Sequence, residues 1–184
     1  MRPEHVTTAS PAPGSSDRQR TYSWSDPARA AAAARQLDGG TFFAEMTSGE
    51  LPMPPIAETL GFTATQVKDG VARFEMDPSE FHYNPIGSVH GGVIATLCDS
   101  ACGCAVHSLL PAGSYYSSLD LSVKFLRRVT AATGRLVCEG TVVHLGNRSA
   151  LAEATLTGPD GRVYARATSS CMIFRPDPSR PPPG

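Results

Sequence analysis

Hydrophobic residues recur at helical spacing over one long stretch in the middle of the chain, from Gly91 to Leu110. Apolar or small side chains fill one broad face of this stretch, as in a helix packed against a sheet. They are Val93, Ile94, Leu97, Cys98, Ala101, Cys102, Ala105 and Val106. Pro111 and Gly113 follow, and both residue types end helices. The pattern predicts a long, buried helix over residues 91–110.

Alternating apolar and polar residues predict strands on both sides of this helix. Before it, residues 62–67 and 71–76 form a predicted hairpin around Lys68-Asp69-Gly70. After it, four strands are predicted, over residues 117–126, 135–144, 149–157 and 163–174. The first of these four has Leu119, Leu121, Val123 and Phe125 on one face and Ser118, Asp120, Ser122 and Lys124 on the other.

The order of two strands, one apolar helix and four strands predicts an α+β fold, in which one long antiparallel sheet wraps around one central helix. A single helix cannot cover the whole sheet, and one edge strand stays unpaired. Self-association would cover both surfaces, so we expect a homodimer or a homotetramer.

The two ends of the chain differ in composition from this predicted domain. Residues 1–25 are rich in Ser, Thr, Pro and Ala, which predicts a disordered tail. Residues 176–184 form a Pro-rich C-terminal tail. The main domain is therefore expected over residues 56–175, which contain all the predicted strands and the long helix.

A helical N-terminal arm is predicted between the first tail and the main domain, over residues 26–55. Ser25-Asp26-Pro27 begins an Ala-rich helix that ends near Gly39-Gly40. A second short helix is predicted over residues 42–46. Pro52, Pro54 and Pro55 then predict an extended link into the main domain.

Composition and charge exclude several classes of function. The 184 residues are 41% hydrophobic, enough for one domain with extensions. A net charge of −1, without a basic stripe, gives nucleic-acid binding little electrostatic support. Five cysteines without a repeated C-x-x-C argue against a disulfide framework or a zinc finger, and no metal is expected. No signal peptide or membrane span is recognised, so we expect a cytoplasmic protein without a membrane partner.

The candidate chemistry lies in the residues that open the central helix. Asn84 and His90 precede it, Gly91-Gly92 begins it, and Asp99 lies two turns further on. Free N–H groups at a helix N-terminus can polarise a carbonyl, and glycines let a ligand approach the backbone closely. A carboxylate nearby can act as a base or a nucleophile. This combination predicts attack on a carbonyl group.

Two other nucleophile arrangements have less support. Cys104 and His107 are spaced i and i+3 on the predicted helix, but cysteines in such an apolar run are expected to be buried core residues. The chain has no G-x-S-x-G motif, which disfavours a serine hydrolase of the α/β-hydrolase type.

The motif Asn84-x-x-Gly87-x-x-His90-Gly91-Gly92, with Asp99 nine residues after His90, resembles the hotdog-fold acyl-CoA thioesterases of the PaaI-like branch. Residues 118–127, S-L-D-L-S-V-K-F-L-R, are similar to a strand of that branch. Residues 142–148, V-V-H-L-G-N-R, resemble its hairpin before the penultimate strand. The three matches occur in the family's order and extend the resemblance over residues 56–175.

The resemblance implies a role for each residue of the motif. The Gly91 N–H would polarise the thioester carbonyl, and the Asn84 amide would hold the same oxygen or order the loop. Asp99, supplied across a dimer interface, would activate water or attack directly. Ser118 would orient water or contact the acyl group, and His90 would position the loop. Ser117 is adjacent to Ser118, so a shift of one residue in register would exchange these two.

The substrate implied by the resemblance is an acyl- or aroyl-CoA, with no cofactor. Arg127, Arg128 and Arg148 are candidates for binding the coenzyme A phosphates, because guanidinium groups suit phosphate geometry. Two alternatives stay open. One is a hotdog hydratase or dehydratase of enoyl or hydroxyacyl thioesters, although its D-x-N-P-x-H motif is missing here. The other is a non-catalytic acyl-CoA-binding protein, although the N-terminal residues do not resemble an effector module.

Overall fold

The computed structural model describes residues 18–176 and contains one antiparallel sheet. Its strands are β1 Phe62–Lys68, β2 Val71–Met76, β3 Tyr115–Ser118, β4 Ser122–Phe125, β5 Leu136–Leu145, β6 Ser149–Thr157 and β7 Val163–Phe174. The α-helices are α1 Pro27–Gln36, α2 Gly39–Ser48, α3 Pro55–Leu60 and α4 Gly91–His107. One-turn 3-10 helices, which were not predicted, occupy Glu80–His82 and Ala131–Thr133.

The sheet wraps around α4, which confirms the α+β prediction. The strand order is β1-β2-β5-β6-β7-β3, and β4 also pairs with β7. The buried face of α4, centred on Leu97, Ala101 and Ala105, packs against β2, β5, β6 and β7. Gly140 in β5 permits this close packing, since a Cβ at Gly140 would lie 2.3 Å from the Ala101 carbonyl oxygen. Because Gly140 has no side chain, the backbone of α4 can lie close to the middle of the sheet.

Most of the predicted strands are confirmed, and β6 and β7 have the predicted bounds. The predicted strand over residues 117–126 is wrong as one continuous strand. β3 and β4 both pair with β7, but residues 119–121 lie opposite only residues 169–170, which makes a one-residue bulge. Asp120 holds this bulge: its Oδ1 accepts from the Ser170 N–H at 3.0 Å, and its carbonyl accepts from Ser169 Oγ at 2.8 Å. The Asp120 side chain thus competes with the regular ladder.

The bulge changes which side chains point toward α4. In β3, Tyr116 lies against Gly103 of α4, and Ser118 hydrogen-bonds to Asp99. In β4, Phe125 lies against Gly91, where a Cβ would be 3.1 Å from the ring. An unbroken strand would point Ser118 and Phe125 to opposite faces. The extra residue turns both of them toward α4.

The helical arm differs from its prediction in two places. Gly39-Gly40 does not end α1 but begins α2, because the Asp38 carboxylate caps α2 by accepting from the Thr41 N–H at 3.0 Å. The second helix is therefore longer than the predicted 42–46. The link is extended only as far as Pro54, because Pro55 occupies the first position of α3, where the missing N–H costs no hydrogen bond.

The remaining differences concern the C-terminal end of α4 and the two ends of the chain. Helix α4 stops at His107 rather than at Leu110, and a turn closed by the Leu110 N–H and the His107 carbonyl (2.9 Å) follows it. The predicted tails at 1–25 and 176–184 lie mostly outside the described residues. Between residues 18 and 176, no helix is both long and apolar enough to cross a membrane.

Candidate functional site

The N-terminus of α4 is capped by a side chain that leaves the first N–H of the helix free to bind an acceptor. His90 is the N-cap residue, and its Nδ1 accepts a hydrogen bond from the Gly92 N–H at 2.9 Å. The imidazole thus satisfies the second N–H of α4. The N–H of Gly91, the first residue of α4, takes part in none of the hydrogen bonds found between residues 18 and 176. The first N–H of α4 is available to an acceptor from outside the chain.

The loop before α4 is ordered by Asn84. Its Oδ1 accepts from the N–H groups of Ile86 and Ser88, both at 3.1 Å, and its Nδ2 donates to Ser88 Oγ at 3.1 Å. Arg128 adds a hydrogen bond from its guanidinium to the Gly87 carbonyl at 2.8 Å. Two roles were implied for Asn84, and these contacts within the chain correspond to the ordering of the loop.

A cavity of about 540 Å³ opens beside this helix end. Gly91 and Asn84 line it together with Phe125, Arg127 and Arg128. Both arginines are exposed, and no Asp or Glu is among the residues that line this cavity. Arg148, the third predicted phosphate ligand, lies elsewhere, in the turn between β5 and β6. The arrangement suits an anionic ligand close to a polarising N–H.

Asp99 borders a second cavity, of about 340 Å³, between α4 and the β3–β4 bulge. The Asp99 side chain is exposed, and its Oδ1 accepts from Ser118 Oγ at 3.1 Å. Of the two adjacent serines named from the sequence, Ser118 is the one that hydrogen-bonds to this carboxylate. Asp120 lines the same cavity, but its carboxylate is engaged with the β7 backbone.

Gly91 and Asp99 do not meet within one protomer. They are eight residues apart on α4, which corresponds to about 12 Å along the helix axis. Reacting groups must come within about 3 Å of one substrate atom. One carbonyl can therefore reach the Gly91 N–H and an Asp99 carboxylate only if the carboxylate belongs to another copy of the chain.

Cys104 and His107, the alternative nucleophile pair, are both uncharged near neutral pH. Burial and the nearby charge of Asp99 raise the pKa of Cys104 to about 12, so its thiol stays protonated near neutral pH. Burial lowers the pKa of His107, so its imidazole is neutral. Across the described part of the chain, no three His, Cys, Asp or Glu side chains are grouped so that they could hold a metal ion.

Two residues at the site were missed from the sequence. Ser88 completes the Asn84 loop, and the spacing of Asn84 and Gly87 as the ends of a turn was the available signal. Phe125 lies over Gly91, but the alternation of its strand gave no indication of this, because the bulge precedes it.

The chain is similar to several proteins with named activities. The sequence pattern of the thioesterase superfamily matches residues 86–165, which include Gly91, Asp99 and Ser118. A protein of Halobacterium salinarum, named as a putative esterase, is 33% identical over 129 residues, covering 64% of this chain and 83% of the relative.

Solved structures have the same architecture. A putative thioesterase of Ralstonia eutropha, described as phenylacetic acid degradation-related, superimposes with a TM-score of 0.64 at 30% identity, over 71% of this chain and 98% of that one. A putative esterase of Mycobacterium tuberculosis, at 23% identity and a TM-score of 0.64, shares the fold over 68% of this chain and its own full length.

Proposed function

The chain belongs to the thioesterase superfamily and has the predicted hotdog fold, and we propose that it hydrolyses an acyl-CoA or aroyl-CoA to the free acid and coenzyme A. One observation carries this proposal: the Gly91 N–H is unpaired within residues 18–176 and opens into a cavity that also contains two arginines. An acyl-CoA needs both features in one cavity: a donor for the thioester carbonyl and, a pantetheine arm away from it, cations for the phosphates.

The Gly91 N–H acts on the carbonyl oxygen. When a nucleophile adds to the thioester carbon, the carbonyl oxygen becomes an oxyanion, and a fixed N–H at a helix start stabilises it. The glycine leaves the approach open except for the Phe125 ring. Collapse of the tetrahedral intermediate expels the coenzyme A thiolate and leaves the acid.

Asp99 of a second protomer supplies the nucleophile. As a base it takes a proton from water while the hydroxide adds to the carbonyl carbon; as a nucleophile it forms an anhydride that water then opens. Ser118 Oγ, which donates to Asp99, orients the carboxylate in either case. The distance along α4 between Gly91 and Asp99 supports a site shared by two copies.

The free edge of the sheet supports this assembly. Apolar side chains are exposed along β4 and the bulge, with Leu119 at 59%, Phe125 at 54% and Leu126 at 52% exposure. Pairing of two such edges would cover them and bring the Asp99 cavity of one protomer toward the Gly91 cavity of the other. We propose a homodimer as the smallest active unit.

Arg127 and Arg128 bind the coenzyme A phosphates in this proposal. Both line the Gly91 cavity, although Arg128 also holds the Gly87 carbonyl and Arg127 the Val163 carbonyl. Arg148 lies beside Ile173, at the opposite end of β7 from Arg127, so it reaches the same nucleotide only from another protomer.

Release of free thiol from short, medium, long and aromatic acyl-CoAs tests the proposal. We compare the native protein with Asp99→Asn and, as a matched control, Asp120→Asn, which changes a carboxylate in the same cavity but keeps an acceptor for the Ser170 N–H. Asp99→Asn is expected to lower kcat by about 10²-fold or more, and Asp120→Asn by far less. No thiol release by the native protein from any substrate would refute the proposal and favour hydration or acyl-CoA binding.

A further inference from the structure

A third cavity, of about 330 Å³, lies between the helical arm and the C-terminal half of α4. Helices α1 and α2 form its roof, with Ala30, Ala34 and Phe42 among the residues that line it. The other walls come from β1 and β2, through Phe62 and Phe74, and from α4. It lies apart from the two cavities described above.

The lining of this cavity is apolar and uncharged. Of the residues that the structure describes, no Asp, Glu, Lys or Arg contributes to it. Its two titratable groups are neutral: the Cys104 thiol is protonated, and the His107 imidazole stacks on the Phe42 ring with centroids 5.5 Å apart. Alanines on the α1 face that lines the cavity keep its volume open. An occupant of this space must itself be apolar.

The α4 wall of this cavity starts one residue after the candidate catalytic carboxylate. Ser100, which follows Asp99 on α4, lines it, and so do Cys104 and His107 further along the helix. Ser100 is turned about 100° from Asp99 around the helix axis, away from the buried face. From Asp99 to His107 the path along α4 is about 12 Å. A ligand with one end at Asp99 can thus extend along the outer face of α4 and under the arm.

The α2 part of the roof is firmly docked on the end of α4. The Gly39 N–H donates to the Leu110 carbonyl at 2.9 Å, and a Cβ at Gly39 would lie only 1.8 Å from the His107 carbonyl oxygen. Phe42 and Phe43 of α2 are buried and pack around the His107 ring. The arm therefore belongs to the same folded unit as the site.

We propose that this cavity holds the acyl chain of the substrate, and that the preferred substrate is a straight-chain aliphatic acyl-CoA of medium length rather than an aroyl-CoA. The inference rests on the proposed hydrolysis, because it assumes that the thioester lies at Asp99. Coenzyme A then lies on the arginine side of one protomer, and the acyl chain passes under the arm of the protomer that supplies Asp99. A short, rigid aromatic acid would leave most of the cavity empty.

Filling the cavity from the arm tests this assignment. Ala34→Phe places a ring in the cavity, and Ala32→Phe places the same ring on the exposed side of α1 as a control. We expect Ala34→Phe to lower kcat/KM for decanoyl-CoA by about tenfold or more relative to butyryl-CoA, since even one methylene in an apolar pocket is worth about tenfold. Ala32→Phe should leave the ratio unchanged. Ala30→Phe serves as a second filling variant if Ala34→Phe does not fold.

Binding of free decanoate, measured by calorimetry, gives a readout that does not require turnover. The native protein should bind decanoate, Ala34→Phe should bind it at least several-fold more weakly, and Ala32→Phe should equal the native protein. If the native protein releases no thiol but decanoate binding shows this pattern, hydrolysis fails and the acyl cavity stands. If folded filling variants change neither the chain-length ratio nor decanoate binding, the acyl cavity is refuted, whether or not the native protein hydrolyses thioesters.

Discussion

The two ends of α4 are built in opposite ways. At the N-terminal end, a His90 cap, a Gly91 N–H with no partner among residues 18–176 and two arginines surround an open cavity. At the C-terminal end, α2 packs so closely that Gly39 has no room for a side chain, and the cavity there is apolar and roofed. One helix thus has a polar, open end and an apolar, roofed end, with Asp99 between them.

The largest expected effect comes from removing the helix-start donor. Gly91→Pro deletes the N–H at the first position of α4, where proline is tolerated, and the preceding His90 already has the extended conformation that proline requires. We expect kcat to fall by about 10²- to 10³-fold, as for loss of one oxyanion donor. Gly91→Ala, which adds the same Cβ against Phe125 but keeps the N–H, should lose much less. Equal losses in both variants would assign the effect to crowding.

The Gly91→Pro variant also tests whether two protomers share one site. Protomers carrying only Gly91→Pro are mixed with protomers carrying only Asp99→Asn after reversible dissociation. If each site combines Gly91 from one copy with Asp99 from another, mixed dimers regain one intact site, and activity rises above that of either parent. A mixture that stays as inactive as its parents would mean that both groups act within one protomer.

At the opposite end of α4, Gly39→Ala is expected to destabilise the fold by about 1–3 kcal/mol, the usual range for overpacking. The added methyl would collide with the His107 carbonyl, which is backbone and cannot move aside easily. Urea unfolding measures the change. Gly40→Ala is the matched control, because its Cβ would meet only the Asp38 side chain, at 3.2 Å. A urea midpoint for Gly39→Ala equal to that of the native protein would show that the arm can shift without loss of stability.

Ser118→Ala should have a smaller effect, on activity alone. It removes the hydrogen bond to Asp99, and a hydrogen bond to a charged group at an exposed site is worth about 1 kcal/mol, or several-fold in kcat. Ser117→Ala should leave kcat unchanged, because the hydrogen bonds found among residues 18–176 join Asp99 to Ser118 and not to Ser117. The reverse order of effects would exchange the two serines in the mechanism.

The smallest effect concerns pH. Burial lowers the pKa values of His82 and His107 in the folded protein below their ordinary 6.5, so the unfolded chain binds more protons in that range. The stability they contribute is fully present above about pH 6.5 and is lost as the pH falls below it. Urea midpoints measured from about pH 8 to pH 5 should decrease, and His82→Gln should flatten the decrease.

What could be predicted from sequence follows the range of the interactions involved. The core face of α4 and the strands β6 and β7 are determined by local periodicity and tight turns, and their prediction is confirmed. The break between β3 and β4 depends on Asp120 bonding to Ser170, fifty positions away, which no local pattern contains. The role of Gly39 depends equally on a distant contact, with His107.

The candidate site divides in the same way. The Asn84 loop and the His90 cap are local, and the motif that contains them located both. The pairing of Ser118 with Asp99 joins two elements, and the sequence named Ser118 but left open a one-residue shift to Ser117. The assignment of Asp99 to a neighbouring copy, and of Arg148 to a phosphate, stay predictions.

The bulge at residues 119–121 makes the length of this segment as important as its residues. Deleting one residue there would exchange inward and outward positions on one side of the break, moving either Ser118 away from Asp99 or Phe125 away from Gly91. A single-codon deletion could therefore damage this site more than most substitutions within the segment. When related chains are aligned, a gap at this point marks a rebuilt ligand site rather than a variable loop.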